Sequence, residues 1–512
     1  MTAALKKALA VGTVAVALSG AVATARTDTV MVRAGENLQA ALDRARPGDT
    51  LLLEAGATFV GNFVLRAKPG DAYITIRSAA SDDQLPREGQ RVFPRDAWAL
   101  PKLTSPNSLP VLRTEPGAHH WRLLFLEIGP NATPHNDVIR FGEGDGPSQS
   151  SLEQVPHHLE IDRCYIHGDP TVGQKRGVAL NSASTRIVNS YFSEFKLAGQ
   201  DTQAIAGWNG PGPFVIENNY LEGAGENVMF GGADPAIPNL VPSDIVFRGN
   251  HVSKPITWQR ERWTVKNLFE LKNAERVLIE HNLFEHNWQA AQAGPAILLT
   301  VRNQDGRAPW SRVQQVMFRA NIVRHVAAGF NIMGSDNNFP SGQTRDISIH
   351  HNLITDVVAR VWGGNGNFLL IGDAAADIDV DHNTVMHSGA AVSVYGRPTS
   401  GFRFRNNLLP HNQYGIKGDS RSTGRETLDT YFPGAVVEYN AFAEGPPAVY
   451  PPRNLFPNYA VWVAQFRDYY GGDYELSASS SYRHAGSDGS DLGADPEMLR
   501  PAFAAIAGRR SD

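Results

Sequence analysis

The spacing of asparagine constrains this chain more than any other feature. Ten segments follow the pattern apolar-x-apolar-x-x-Asn-x-apolar, with the sixth position at Cys164, Ser190, Asn219, Asn250, Asn282, Asn321, Asn352, Asn383, Asn407 and Asn440. Eight of the ten are asparagine, and successive positions lie 24 to 39 residues apart. Val277–Phe284, Ile347–Ile354 and Ile378–Val385 each read as a short strand, a sharp corner and another short strand. A unit of this size cannot bury its apolar face alone, so consecutive turns must stack as a solenoid. Asparagine suits the corner because it tolerates a left-handed backbone, hydrogen-bonds its own turn and can stack on the next amide at about 4.8 Å. The expected fold is all-β, a parallel β-helix of about 10–12 coils.

The two ends differ from the coils. Lys6-Lys7, the apolar run Ala8–Ala23 and the small residues Ala23-Thr24-Ala25 form the three regions of a secretory signal, so residues 1–25 are expected to be removed. No cysteine follows that run to take a lipid, and no later stretch is apolar for long enough to span a bilayer, so a secreted or periplasmic product with no membrane partner is expected. Next, Leu38, Ala41, Leu42 and Ala45 fall at i, i+3, i+4 and i+7, predicting a helix over Glu36–Ala45 that ends at Pro47-Gly48 and caps the solenoid edge.

Strands are expected at Thr50–Leu53, Phe63–Leu65 and Tyr73–Ile76, irregular side loops over Ser81–Pro116, and regular coils from Trp121 to Phe442. Past Glu444, Gly445-Pro446-Pro447 and Pro451-Pro452 break the pattern, and a helix over Tyr459–Tyr470 and a strand at Tyr474–Leu476 are expected to follow. The domain reading is therefore a solenoid with its N-terminal cap over 26–445 and a C-terminal cap and tail over 446–512. Asp488, Asp491 and Asp495 lack the spacing of a calcium loop and read as a surface loop.

Charge narrows the partners. With 47 Lys+Arg against 52 Asp+Glu and no basic block, nothing favours nucleic acid, and a monomer is expected. Cys164 is the single cysteine, which excludes an internal disulfide, and its place in the ladder reads as a small buried corner residue.

The helix-capped start, Pro47–Leu53 (PGDTLLL), the asparagine ladder and the closing Gly486–Asp495 (GSDGSDLGAD) together resemble the pectate lyase-like superfamily of right-handed parallel β-helices, over nearly the whole mature chain. That resemblance implies a right-handed coil with a long substrate groove over one sheet. Members cleave acidic polysaccharides by β-elimination or hydrolysis, epimerise uronates, or only bind glycans, so the fold does not choose the chemistry. Arg307-Ala-Pro-Trp-Ser-Arg312 is similar to the Arg-x-Pro-x-x-Arg signature of pectate lyases, whose first arginine takes the sugar proton, and this makes Arg307 a candidate base. Here Ala296–Val301 already fills the groove strand of that coil, which puts the signature in the following turn, and the family's cluster of calcium-binding aspartates has no counterpart.

Aligning the coils places groove strands near Val178–Leu180, Ala204–Ala206, Asn227–Phe230, Leu268–Lys272, Ile297–Val301, Asn331–Met333, Phe368–Ile371, Val392–Val394 and Gly415–Lys417. Period-two alternation then sends Phe269 and Leu271 inward and Glu270 and Lys272 outward, with Thr300 and Arg302 outward one coil on. Elimination across a uronate needs a neutralised carboxylate, a base and help for the leaving oxygen. Clustered cations lower each other's pKa, which favours Lys272 as base, while Arg302 stays charged and can grip a carboxylate. Glu270 either orients Lys272 or forms a surface ion pair worth under about 1 kcal/mol.

Lys254, Trp258, Arg260, Trp310 and Asn227, together with Asn273 and Asn303 beside the two cations, are candidate sugar contacts, since indoles stack on sugar rings and cations attract carboxylates. Glu226 and Asp234 are candidate Ca2+ ligands. His281, His351 and His382 each precede a ladder asparagine and read as corner packing. The leading expectation is an exported lyase of an acidic, uronate-containing polysaccharide, with Lys254 helping Arg302 to neutralise the carboxylate. A glycoside hydrolase drawing two carboxylates from Glu226, Asp234, Glu270, Asp336 or Asp373 and a non-catalytic glycan binder stay open.

Overall fold

The structure is a computed structural model and describes residues 27–507, so the signal expected over residues 1–25 lies outside the described residues. Among the described residues the strands form three long parallel sheets, of 14, 12 and 13 strands, and one antiparallel hairpin. Each regular coil gives one strand to each sheet. Register follows the sequence pattern, with Val277 opposite Val316, then Ile347, then Ile378 on successive coils. Because alternate residues point inward, these positions form continuous apolar rows between the sheets. Phe247, Phe284 and Phe318 stack along the axis at centroid separations of 6.1 and 5.6 Å. Burying each such ring contributes roughly 1.5–3 kcal/mol, which supplies stability without disulfides.

The asparagine ladder is continuous. From Asn219 to Asn407, each backbone N–H donates to the side-chain carbonyl of the next rung at 2.8–3.1 Å, and each side-chain amide donates to the same oxygen at 2.9–3.2 Å. Asn440 extends the series onto Asn454, a rung that the repeat pattern does not reveal. The left-handed backbone, however, falls on the residue before each rung. His281, His351 and His382 have φ of 58°, 54° and 50°, and Asn218, Asn406 and Tyr439 occupy the same position elsewhere. Asparagine is therefore selected for its amide, not for its backbone freedom. Cys164 is fully buried at the corner, where desolvation pushes its thiol up to about 12.

The N-terminal helix spans Leu38–Arg44, with the Asn37 side chain accepting from the Ala40 N–H at 3.0 Å and with Leu38, Ala41 and Leu42 buried. Two expectations fail nearby and at the far end. Within Ser81–Pro116, Lys102–Ser105 and Leu112–Thr114 are solenoid strands in register with later coils, hidden from pattern reading because Pro101, Pro106 and Pro110 punctuate the segment. The C-terminal segment is also no simple lid. Leu428, Phe432 and Tyr450 close the last coil, while Trp462, Phe466, Tyr482 and Leu492 run back along the outside of the 13-stranded sheet against Met386 and Leu408. Helix formation stops at Val463, and Phe466–Asp468 pairs with Asp473–Leu476. A final helix, Pro496–Ala507, sets Leu499 and Ala502 on Leu283, Ile322 and Leu353. The Asp488 loop is held to the ladder corner, with Ser490 Oγ 2.8 Å from His382 Nε2 and the Ser487 N–H on Asn406. Among the described residues no helix is long and apolar enough to cross a membrane.

Candidate groove site

All nine predicted groove strands fall in the 12-stranded sheet, whose outer face collects the polar groups. One row runs along the strand starts. Asp137 and Arg176 are opposite each other, as are Arg176 and Gln203 and then Glu226 and Asn267. Arg176 donates to Asp137 at 2.9 Å and to Gln203 at 2.9 Å, and Gln203 donates to Glu226 at 2.8 Å. Arg176 also lies over the Trp208 ring, and with Arg140 and Lys175 these residues line a cavity of about 200 Å³.

Glu226 is the electrostatic focus of this row. Burial, reinforced by the Glu270 and Asp201 carboxylates, pushes it up to about 7 despite Lys266 and the Gln203 hydrogen bond. Lys266 bridges Glu226 and Asp201. Burial opposes its charge, but these two carboxylates outweigh burial and raise its pKa above that of an ordinary lysine.

A second group occupies the strand ends. Glu270, 2% exposed, holds Lys272 Nζ at 2.7 Å, and the same ammonium donates to Thr300 Oγ1 at 2.8 Å. One coil on, Arg302 meets the buried Asp336 carboxylate at 2.9 Å and Asn337 at 3.1 Å. The expected adjacency is present, since the Arg302 N–H donates to the Lys272 carbonyl at 2.9 Å. Each cation is paired with its own carboxylate, which offsets their mutual repulsion. Both side chains reach solvent, at 15% and 21% exposure.

Several expected contacts are structural instead. Lys254 is fully buried, with Nζ 2.6–3.2 Å from the carbonyls of Gly223, Gly225 and Asn267 and from Asn227 Oδ1. Burial holds its pKa well below the lysine range, only partly offset by Glu226, so it cannot meet a substrate carboxylate. Asn227, equally buried, ties Leu221 to Ser253. Asn273 accepts from the Arg312 N–H and donates to Leu240, and Asn303 accepts from the Ala308 N–H and donates to Pro340, so both fix loops. Trp258 packs with Trp263, Trp288 and Trp362 in an aromatic plug, and Trp310 is anchored to the Leu240 carbonyl. Arg260 is exposed on a short helical turn beside the plug.

Arg307 is 71% exposed in the turn after the groove strand, paired with Asp305. Asp234 accepts the Asp305 and Arg307 N–H groups at 3.0 and 2.9 Å, which makes it a loop anchor. Glu226 is engaged elsewhere, and the groupings of three or more metal-competent side chains among the described residues involve other positions. The row Asp137, Arg176, Gln203 and Lys266 was absent from the sequence reading. Its signal was a polar residue two places before each inward Ile139, Val178 and Ile205, just ahead of where the strands were drawn.

Against solved structures, the chain aligns with the PL6 family alginate lyase AlyGC at 14% identity and a TM-score of 0.55, covering 92% of this chain and 57% of that one. The chain thus spans little more than half of AlyGC. It also aligns with a mannuronic acid specific polysaccharide family 6 lyase from human gut microbiota at 13% identity and a TM-score of 0.51, over 84% of this chain and 91% of that one. The chain has the right-handed parallel β-helix fold. At these identities the likeness establishes the right-handed parallel β-helix alone. No family model and no curated protein matches the sequence. Within this solenoid, the 12-stranded sheet with its charged outer rows is the candidate groove.

Proposed function

We propose that this protein is an exported polysaccharide lyase that cleaves a uronate-containing chain by β-elimination over the 12-stranded sheet. The observation that carries the proposal is the pair of solvent-reaching cations Lys272 and Arg302, set one coil apart on that face and each braced by a buried carboxylate. Arg302 neutralises the sugar carboxylate, which acidifies the adjacent C–H. Lys272, as the neutral amine, takes that proton and returns it to the departing oxygen as the C–O bond breaks, with Glu270 at 2.7 Å and Thr300 aiming Nζ. The cavity lined by Arg140, Lys175, Arg176 and Trp208 provides a second place for an acidic sugar along the same groove. The names of the two solved structures, an alginate lyase and a mannuronic acid specific lyase, support a uronate substrate.

Glu226 favours a second reading. A carboxyl held at about 7 beside the Glu270 carboxylate has the protonation expected of a hydrolase general acid. The test is incubation of the mature chain with alginate, pectate and other uronate polymers, with and without calcium, following ultraviolet absorbance of an unsaturated uronate. Absorbance that disappears in Lys272→Ala supports elimination. New reducing ends without absorbance, lost in Glu226→Gln, would replace it with hydrolysis.

A further inference from the structure

The solvent side of the 14-stranded sheet carries two histidine doublets that the groove chemistry does not use. His119-His120 opens the strand His119–Leu124, His157-His158 opens His157–Asp162, and His119 is opposite His157, so the doublets occupy adjacent coils. Neighbours in a strand normally point to opposite faces. Here His120 and His158 adopt φ of 55° and 53°, which breaks the alternation and turns both rings of each doublet together. The left-handed position recurs at Ser184, Asp244, Arg276, Gln315, Asp346 and Asp377 on later coils, so the geometry belongs to the solenoid and only the imidazoles are particular to this pair.

Within each doublet the two Nδ1 atoms share a hydrogen bond of 2.8 and 2.7 Å, whose proton a bound ion would displace. Across the coils, His119 stacks on His157 at 4.8 Å and His120 on His158 at 4.6 Å. His120, His157 and His158 each present a ligand nitrogen within 4.8 Å of the others.

We propose that the two doublets form a site for one divalent late transition metal ion of tetragonal or octahedral preference, Cu2+ or Ni2+, bridging two consecutive coils. Imidazole suits these ions. An ion about 2.0–2.1 Å from two nitrogens with this separation subtends about 85°, the right-angled bite of those geometries and too narrow for tetrahedral zinc. The other grouping, Glu285, His286 and His325, is already committed, with Glu285 bound to Arg324 and His251, and His325 bound to Asp356.

The test is titration of the untagged chain with Cu2+, Ni2+ and Zn2+ by calorimetry, with electron paramagnetic resonance of the copper-loaded protein. One copper per chain with three or more coordinated nitrogens is expected, Zn2+ binding more weakly. His120→Gln/His158→Gln should weaken Cu2+ by more than about tenfold, the effect of losing even supporting groups, while His325→Gln leaves it unchanged. Equal binding by the double variant, equal loss in His325→Gln, or fewer than three nitrogens in the parent spectrum would each overturn the site. The spectrum of the parent decides the matter even if the double variant fails to fold.

Discussion

Arg302 donates its backbone N–H to the Lys272 carbonyl at 2.9 Å, so two cations leave neighbouring coils from positions fixed by the sheet itself. Each then turns to a different carboxylate, Lys272 to Glu270 and Arg302 to Asp336. The pair is thus spaced by backbone and aimed by side-chain partners, and each half can be tested separately.

Arg302→Lys keeps the charge but removes the planar guanidinium, whose NH1 contacts both Asp336 and Asn337. Losing a charge-assisted hydrogen bond to substrate is worth about 1.5–3 kcal/mol, so kcat/KM on the active uronate polymer should fall about tenfold or more. Thermal stability should change little, because Arg302 reaches solvent. Steady-state kinetics beside a thermal melt checks this, and a variant with full activity would remove Arg302 from substrate binding.

Glu226 makes stability depend on pH in a defined window. An unfolded glutamate binds its proton only below about 4.5, whereas the folded one holds it up to about 7. Between these values the folded state binds more protons, so stability is fully present below the lower value, declines as pH rises, and levels off above the upper one. The decline due to this group is about 3 kcal/mol. Glu226→Gln carries no titrating proton and should flatten that part of the profile. Urea denaturation of parent and variant from pH 4 to 8 measures the difference, and parallel profiles would refute the assignment.

Lys254 shows where legibility in the sequence ended. Repeat, register and groove strands were all readable because each follows from period-two alternation and a recurring corner. Side-chain destination was not. Lys254 and Asn227 sit beside the groove in sequence, yet the lysine turns inward to the carbonyls of Gly223, Gly225 and Asn267, of which Gly225 also accepts the Asn267 N–H. A cation serving buried carbonyls and one serving a ligand look alike in one sequence. Arg307 differs, because its motif matches while its turn, after the groove strand as the sequence places it, leaves it in solvent. The polar row through Arg176 and Gln203 lies two residues and one residue ahead of the expected strands at Val178 and Ala204, and the strand that carries Asp137 is not among those expected.

Replacing Lys254 with methionine therefore removes a structural group. The buried carbonyls lose their donor, and unsatisfied acceptors of this kind cost about 1–3 kcal/mol each. A loss of about 2–5 kcal/mol in chemical denaturation is expected, with unchanged KM for whatever fraction stays folded. A raised KM at undiminished stability would restore Lys254 to the substrate.

The ladder offers the sharpest contrast between interior and end. Asn321, fully buried, accepts both the backbone N–H and the side-chain amide of Asn282 at 2.9 Å, and donates to Ile279, Arg319 and Asn352. Asn321→Ala strands those two donors and leaves three acceptors one bond short, for a cost of about 2–6 kcal/mol. Asn454 does the same work for Asn440 but is only partly buried, so water can replace it. Asn454→Ala should cost about 1 kcal/mol. Because each coil touches only its neighbours, the interior loss should also appear as faster amide exchange confined to the coils around Asn282 and Asn352. Equal costs at the two positions, or exchange spread evenly along the solenoid, would mean that stacking of the apolar rows rather than the amide ladder holds the coils in register.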